Sequence, residues 1–423
     1  MSTVELPIGG LTELLREIVE INSVSDNLVG IRRIAERIAA ELTALGFDVK
    51  LHAGEHRRQR VDRDLEGAAP LEPDDGSERG LHLVGRLDGD PGSTTVLLLG
   101  HMDTVYAQSS PFQALQVDGD LACGPGVVDM KGGLVVILGG LRALIESGAP
   151  RPSLLIVFNS DEEVSSNTSR GLIEELIASH RPDFCFCVEP GERRADGTEE
   201  LVVERKGHCC LHVGIYGRAA HASKPELGIS ALSALARKIV RLEALASQTA
   251  GVTLNVGRWS GAPDATYNTV PRYAQAEIDV RFDDVESGRA FVEQAKAILG
   301  ESATSPDNEL TTRSLVEEVF FAPPMGPHPG QQRLIGALMQ AATAIDYPHR
   351  FVPVKRPGRS DANIAANHGI PSIDGLGIVG SGSHVAFGES ARLSSLEPRA
   401  RLLALALASL ARAGDSRSVG RNG

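Results

Sequence analysis

Apolar strands and helices alternate along this chain, and the strands run out into histidine or acid. Val96-Leu97-Leu98-Leu99 is an apolar run that stops at Gly100-His101-Met102-Asp103. Strands are expected near 81–87, 95–100, 153–159 and 184–188, with helices at 130–147 and 169–180. This alternation indicates an α/β layer with a largely parallel sheet. In open α/β sheets, ligands bind outside the carboxyl ends of the strands. What stands at those ends is therefore the first clue to chemistry. The residues are His101 and Asp103, Asp129 in "GPGVVDMKGG", Glu162 and Glu163 in "NSDEEVSS", and Glu189 in "CVEPG".

The rest of the chain organises around that layer. Leu11, Leu14, Leu15, Ile18 and Val19 recur at helical spacing, as do Ile31, Ile34, Ile38 and Leu42, and Gly46 stops the second helix. The charged, Pro- and Gly-bearing stretch 55–80 reads as a surface loop. After Val203 the pattern changes: 208–217 alternates as a half-exposed strand, 225–245 is an amphipathic helix, strands follow near 252–258 and 272–282, and Asp284 opens another helix. This gives an α+β insert over 205–318 between the two parts of the α/β domain, 1–204 and 319–423. A last helix is expected over 395–413, followed by a loose tail, 414–423.

Composition narrows the function classes. With 42 basic and 55 acidic residues the net charge is −13, which argues against nucleic acid and anionic membranes as partners. No apolar run approaches the ~20 residues of a membrane span. The first residues lack the basic start and apolar core of a signal peptide, so a cytoplasmic enzyme is expected. Cys185 and Cys187, and the adjacent Cys209 and Cys210, form no CxxC, and the five cysteines are expected to be buried free thiols.

Taken singly, each strand-end residue has an ordinary explanation. Asp129 before "MKGG" suits a turn or a helix cap, Glu162-Glu163 suits a solvated charge run, and His101 suits a hydrogen-bonded strand end. Together they bring an imidazole and several carboxylates to one sheet edge. Crowded carboxylates repel, and a dication removes that cost. Carboxylates mixed with imidazole suit zinc, and also manganese or cobalt.

Six segments in order, "GHMDTVY", "GPGVVDMKGG", "NSDEE", "VEPG", "GRAAHASKPELGISAL" and "SGSHVAFGE", resemble the M20 metallopeptidase family, most closely its glutamate carboxypeptidase and acetylornithine deacetylase branches. The resemblance implies a zinc-exopeptidase-like α/β fold with a mixed, largely parallel sheet and an inserted α+β lid through which the protein forms a homodimer. It implies two Zn2+ ions, with Co2+ or Mn2+ as alternatives. His101 and Glu189 would hold one ion, Glu163 and His384 the other, and Asp129 would bridge them. Asp103 would orient His101, and Glu162 would serve as general base. The Asp129–Met130 peptide bond is expected to be cis.

The resemblance extends to the substrate. His221 in "AAHAS" would stabilise the oxyanion, supplied in many relatives to the partner's site. Asn268, Arg281, Arg359 and Ser360 would bind substrate, Arg281 as a fork for a carboxylate. Ala322 stands where glutamate carboxypeptidase-like relatives often carry Arg, so a glutamate preference is not expected. The implied reaction is hydrolysis of an N-acyl amino acid or short peptide. The alternatives are a strict N-acetyl or N-succinyl amino-acid deacylase, a dinuclear phosphoesterase, or a non-catalytic metal-binding relative.

Overall fold

The computed structural model describes residues 8–54, 80–261, 265–306 and 308–412. The expected loop over 55–80, apart from Gly80, and the tail 414–423 lie outside the described residues. The central sheet has six strands in the order Asp48–Ala53, Leu81–Leu87, Ser153–Asn159, Thr95–His101, Phe184–Cys187 and Ser372–Ile373. Only Leu81–Leu87 runs against its neighbours; the other pairings are parallel. The architecture is thus mixed α/β with a largely parallel sheet, as the alternation of elements predicts.

Side chains on a strand alternate between faces, and here both faces are buried, as a mostly parallel sheet requires. Leu98, Ile156, Phe158 and Phe186 enter one core with the helices Lys131–Glu146 and Leu396–Leu410. Leu97, Leu99, Leu155 and Val157 enter the core on the other side, with Ile173 and Ile177 of the helix Arg170–His180. A separate parallel pair, Glu199–Arg205 with Phe351–Arg356, joins the segments on either side of the insert.

The helix that follows Asp129 starts in very little space. A Cβ on Gly132 would lie 2.4 Å from Val127 O, and one on Gly133 would lie 2.1 Å from Val188 O. The glycine pair lets the strand end that carries Glu189 lie against the turn that carries Asp129.

The insert is a four-stranded antiparallel sheet in the order Thr253–Gly261, Tyr273–Phe282, Gly207–Tyr216 and Arg313–Ala322. Its helices Ala231–Gln248 and Val285–Gly300 cover one face, and Leu235, Leu242, Phe291 and Leu299 pack with Leu211, Val213, Ile278 and Val280 in a core of its own. Two details differ from the sequence reading. The helix expected from 225 starts at Ala231, because Pro225–Leu227 forms a 3-10 turn and Ser230 caps the helix by accepting from Ser233 N. The strand Arg313–Ala322 was not foreseen: its side chains are mostly half-buried, so they lack a clean alternation, and a bulge lies between Glu318 and Phe320. Cys185, Cys187 and Cys209 are buried free thiols, whereas Cys123 and Cys210 are partly exposed.

The glycine at position 133 gives a test by sign. Gly133→Ala should lower the unfolding midpoint of the metal-free protein, because the overpacking, ~1–3 kcal/mol, outweighs the ~1 kcal/mol that alanine gains in a helix. Gly336→Ala, in the helix Gln331–Ala344 with nothing within 4 Å of the added Cβ, should leave the midpoint unchanged or raise it. Thermal unfolding followed by circular dichroism reads both.

Candidate active site

His101 is the last residue of a central strand, opposite Asn159 in register. Its ring is held on both sides. Nδ1 lies 3.1 Å from Asp103 O and 3.3 Å from Asp103 Oδ1, and Nε2 lies 3.2 Å from Asp129 Oδ1 and 3.9 Å from Glu189 Oε1. Asp103 is fully buried and meets more than the ring. It accepts from Ser25 Oγ at 2.7 Å and from the backbone N–H groups of Glu162 and Glu163, both at 3.2 Å.

Glu162 and Glu163 are not in an extended segment, where adjacent side chains alternate. They open a 3-10 turn, Glu162–Val164, because Ser165 and Ser166 take left-handed φ of 79° and 53° and Ser166 N turns back to Asp161 O at 2.7 Å. The two side chains still diverge. Glu162 Oε1 accepts from Arg359 Nη2 at 3.0 Å, while Glu163 Oε2 lies 3.1 Å from His384 Nε2. His384 sits on a loop with φ 65°, its side chain 55% exposed, and its Nε2 is also 3.5 Å from Asp129 Oδ2. The peptide bond after Asp129 is cis.

Two groups of ligand atoms result: His101, Asp129 and Glu189, and Asp129, Glu163 and His384. Within each group the atoms lie within 4.8 Å of one another, and Asp129 belongs to both.

Burial and neighbouring charges act differently on each group of the cluster. Burial pushes Glu189 well above the usual carboxylate range, and the charge of Asp129 adds to the rise. Burial also raises Glu163, against the hydrogen bond from His384. Glu162 is pushed up to about 8 by burial, with the Arg359 charge holding it back. Asp129 behaves oppositely: burial works to raise it, but its bonds to His101 and His384 hold it below the usual range. His384 is raised to about 10 by its bonds to Asp129 and Glu163. Burial lowers His101, yet Asp103 and Asp129 carry it well above an ordinary histidine. The two imidazoles face this carboxylate cluster as counter-charges.

The expected substrate binders are placed unevenly. Arg359 points to Glu162, bonding its Oε1 at 3.0 Å and its backbone O at 3.1 Å. Ser360 is fully buried and gives its hydroxyl to Asp374 Oδ2 at 2.6 Å, so it braces the frame and has no free donor for a ligand. Arg281 spends Nε and Nη2 on Asp279, both at 2.8 Å, and Asp279 Oδ2 also meets His208 Nε2 at 2.8 Å. His221 and Asn268 stand together on exposed loops of the insert, where Ala222 N bonds Asn268 O at 2.8 Å and His221 bridges Thr269. Among the described residues, His221 makes no hydrogen bond to the five-residue cluster in this single chain; its Nδ1 meets Ser223. Ala322 is buried in its strand, opposite His208.

Sequence reasoning missed the carboxylates that hold the site's backbone. Asp374 accepts from Glu189 N at 3.2 Å and from Arg205 Nε at 2.8 Å. Asp361 accepts from Asn159 Nδ2 and Ser166 Oγ, both at 2.6 Å. Glu389 holds the Asp129 loop. Asp361 directly follows Arg359 and Ser360, and Glu389 stands inside the quoted "SGSHVAFGE", but residue type alone does not tell a buried acceptor from a surface acid.

Comparison with known proteins agrees with this geometry. The profile of "Peptidase family M20/M25/M40" matches residues 97–409. Carboxypeptidase G2 of Pseudomonas sp. (strain RS-16) is 28% identical over 392 residues, covering 91% of this chain and 85% of its own. Succinyl-diaminopimelate desuccinylase 2 of Shewanella loihica is 30% identical over 271 residues, 57% of this chain and 70% of its own. Among solved structures, aminopeptidase PepT of Bacillus cereus superposes with a TM-score of 0.70 at 21% identity, over 96% of this chain and 99% of that one. The M20 family metallo-carboxypeptidase Sso-CP2 of Sulfolobus solfataricus does so with 0.70 at 14% identity, over 95% and 99%. The fold, the strand-end cluster and the matched profile agree, and the chain belongs to peptidase family M20/M25/M40, hydrolases of amide bonds.

Proposed function

We propose that this protein is a dinuclear metallohydrolase that releases an amino acid with a free carboxylate from an N-acyl amino acid or short peptide. The observation that carries this reading is the pair of ligand groups sharing Asp129. The donor set fits divalent ions. Each group offers one imidazole and two carboxylates, and the burial that penalises Glu163 and Glu189 as anions is what a dication relieves. His101 and Glu189 would hold one ion, Glu163 and His384 the other, with Asp129 between them. Zinc suits these donors, and cobalt or manganese can replace it.

When bound, the ions supply Lewis acidity toward the scissile carbonyl and the attacking water. The chain does the rest. Asp103 fixes the His101 ring and, through the amides of Glu162 and Glu163, the turn that carries the base. The Glu162 carboxylate takes a proton from water and returns it to the leaving nitrogen. Arg359 orients that carboxylate, a role its two bonds to Glu162 support better than direct contact with substrate.

The insert, over roughly 205–318, acts as lid and dimer interface, and His221 with Asn268 completes the partner's site. His221 is exposed and, among the described residues, makes no hydrogen bond to this chain's own cluster, which supports that reading. Arg281 keeps Nη1 for a substrate carboxylate while Asp279 holds its other edge. A carboxypeptidase and a desuccinylase among the relatives favour an acyl amino acid as substrate. The free thiols favour the cytoplasm, and no described helix is long and apolar enough to cross a membrane.

Glu162→Gln should keep full metal content and lower kcat by ~10²–10⁴-fold. Near-normal turnover at full occupancy would remove Glu162 from the role of base. Metal analysis beside steady-state kinetics checks it.

N-acyl-leucine should exceed N-acyl-leucinamide in kcat/KM by ~10²-fold or more, since the amide offers the remaining Nη1 edge of Arg281 no charged acceptor. N-acyl-glutamate should not exceed N-acyl-leucine by tenfold. Equal rates for acid and amide would eliminate the carboxylate contact.

His221→Ala and Glu162→Gln, each poorly active alone, should regain part of the activity when mixed and allowed to exchange subunits. Absence of recovery in a verified hybrid dimer would rule out action across the interface.

A further inference from the structure

Glu389 is a fully buried carboxylate that the mechanism above does not use. Its Oε1 accepts from Val128 N at 2.9 Å and Asp129 N at 3.0 Å. Its Oε2 accepts from Tyr106 hydroxyl at 2.6 Å and Gly126 N at 3.2 Å. Three of these donors belong to the loop that ends at Asp129. The fourth belongs to the segment that leaves the His101–Asp103 strand end. The main chain of Glu389 continues the same junction: its O accepts from Gly124 N at 3.4 Å.

Glu389 also closes the loop that carries His384. Its N–H bonds Val385 O at 3.0 Å, and Val385 N bonds Gly382 O at 3.0 Å. Aromatic packing backs this corner, with Phe112 5.1 Å from Tyr106 on one side and 5.1 Å from Phe387 on the other. One residue therefore links the segments that present His101, Asp129 and His384: its carboxylate takes the Asp129 loop's amides and the Tyr106 hydroxyl, and its main chain closes the His384 loop.

We propose that Glu389 is the positioning residue of the metal centre: its carboxylate fixes the backbone on which Asp129 is presented to both ligand groups. It touches neither substrate nor any ligand atom, and acts through the amides of Gly126, Val128 and Asp129. The proposal rests on the reading of Asp129 as the shared ligand. The chemistry of the contact is specific. Four donors converge on two oxygens, so the residue must be an acceptor at both atoms. Glutamine has the same shape but turns one of those oxygens into a donor. Whichever way it is placed, its NH₂ faces two donors and leaves them unpaired in a buried site.

The test uses the full chain, stripped of metal and titrated with Zn2+ by calorimetry and with Co2+ by visible absorption. Both are done at a temperature where circular dichroism shows every variant folded. Glu389→Gln should weaken metal affinity by ~10–100-fold, the usual cost of losing a partner that orients a ligand, and should change the intensity of the cobalt band. Tyr106→Phe removes one donor and keeps the shape, and should weaken affinity several-fold with its fold intact. It carries the test if the glutamine variant does not fold. A merely structural role would lower the unfolding midpoint but leave affinity and cobalt absorption of the folded protein unchanged. Native affinity and spectrum in folded Glu389→Gln, or in Tyr106→Phe where the first does not fold, overturn the proposal. If the wild-type protein itself takes up no divalent ion, the reading of Asp129 as a ligand fails instead, and the two failures are distinct.

Discussion

Carboxylates crowded around Asp129 set the terms for everything else in this molecule. Glu163 and Glu189 stand within reach of the same two imidazoles that Asp129 meets, and Glu162 follows on the same turn. Burial disfavours the charged carboxylate and a neighbouring like charge adds to that cost, and both act on Glu163 and Glu189, which rise above the usual carboxylate range. Such a cluster does not hold itself together. Its geometry has to be imposed by the backbone, at positions where the chain cannot relax by turning the acids out into solvent.

The fold imposes it with further carboxylates that bind main-chain amides. Asp103 takes the N–H groups of Glu162 and Glu163, and Asp374 takes that of Glu189. Asp361 ties Ser166, at the end of the Glu162 turn, to Asn159 at the end of its strand. Two of these acids are themselves satisfied by charged or hydroxyl partners: Asp103 by His101 and Ser25, Asp374 by Arg205 and Ser360. The parallel sheet makes this economical. Adjacent strands end side by side, so a carboxylate at the end of one reaches the amides at the end of the next. Gly133 adds what hydrogen bonds cannot, letting Val188 O lie where any Cβ would stand.

The sequence made the catalytic layer legible because its signals are local. Continuous apolar runs ending in His101, Asn159 and Cys187 are strands of a buried sheet wherever they occur in a chain of this pattern, and the acids that follow them can only sit at one edge. The insert was legible down to its two helices and three of its strands. Arg313–Ala322 was not, because "SLVEEVFF" carries two acids in its middle and a bulge at Glu318, so its period of two is broken. The turn at Glu162 is not legible in the sequence for a related reason: its shape depends on left-handed Ser165 and Ser166, residues whose side chains do not advertise that conformation.

Partner choice is where local reading stops. The family resemblance implies a substrate-binding Arg359, and it lies beside the site, but which carboxylate its guanidinium meets is settled only once the chain has folded. That carboxylate is Glu162, from an element far away in sequence. Arg281 meets Asp279 two residues away, through a strand in which alternate side chains share a face. The same strand face brings in His208, which is opposite Arg281 in the ladder. These pairings set how much of each cation is left for a substrate, and none follows from the type of residue alone. The metal chemistry of the chain is therefore written in short motifs. Contacts between elements are not written there: Ala322 stands opposite His208 in the adjoining strand, outside every metal-site motif.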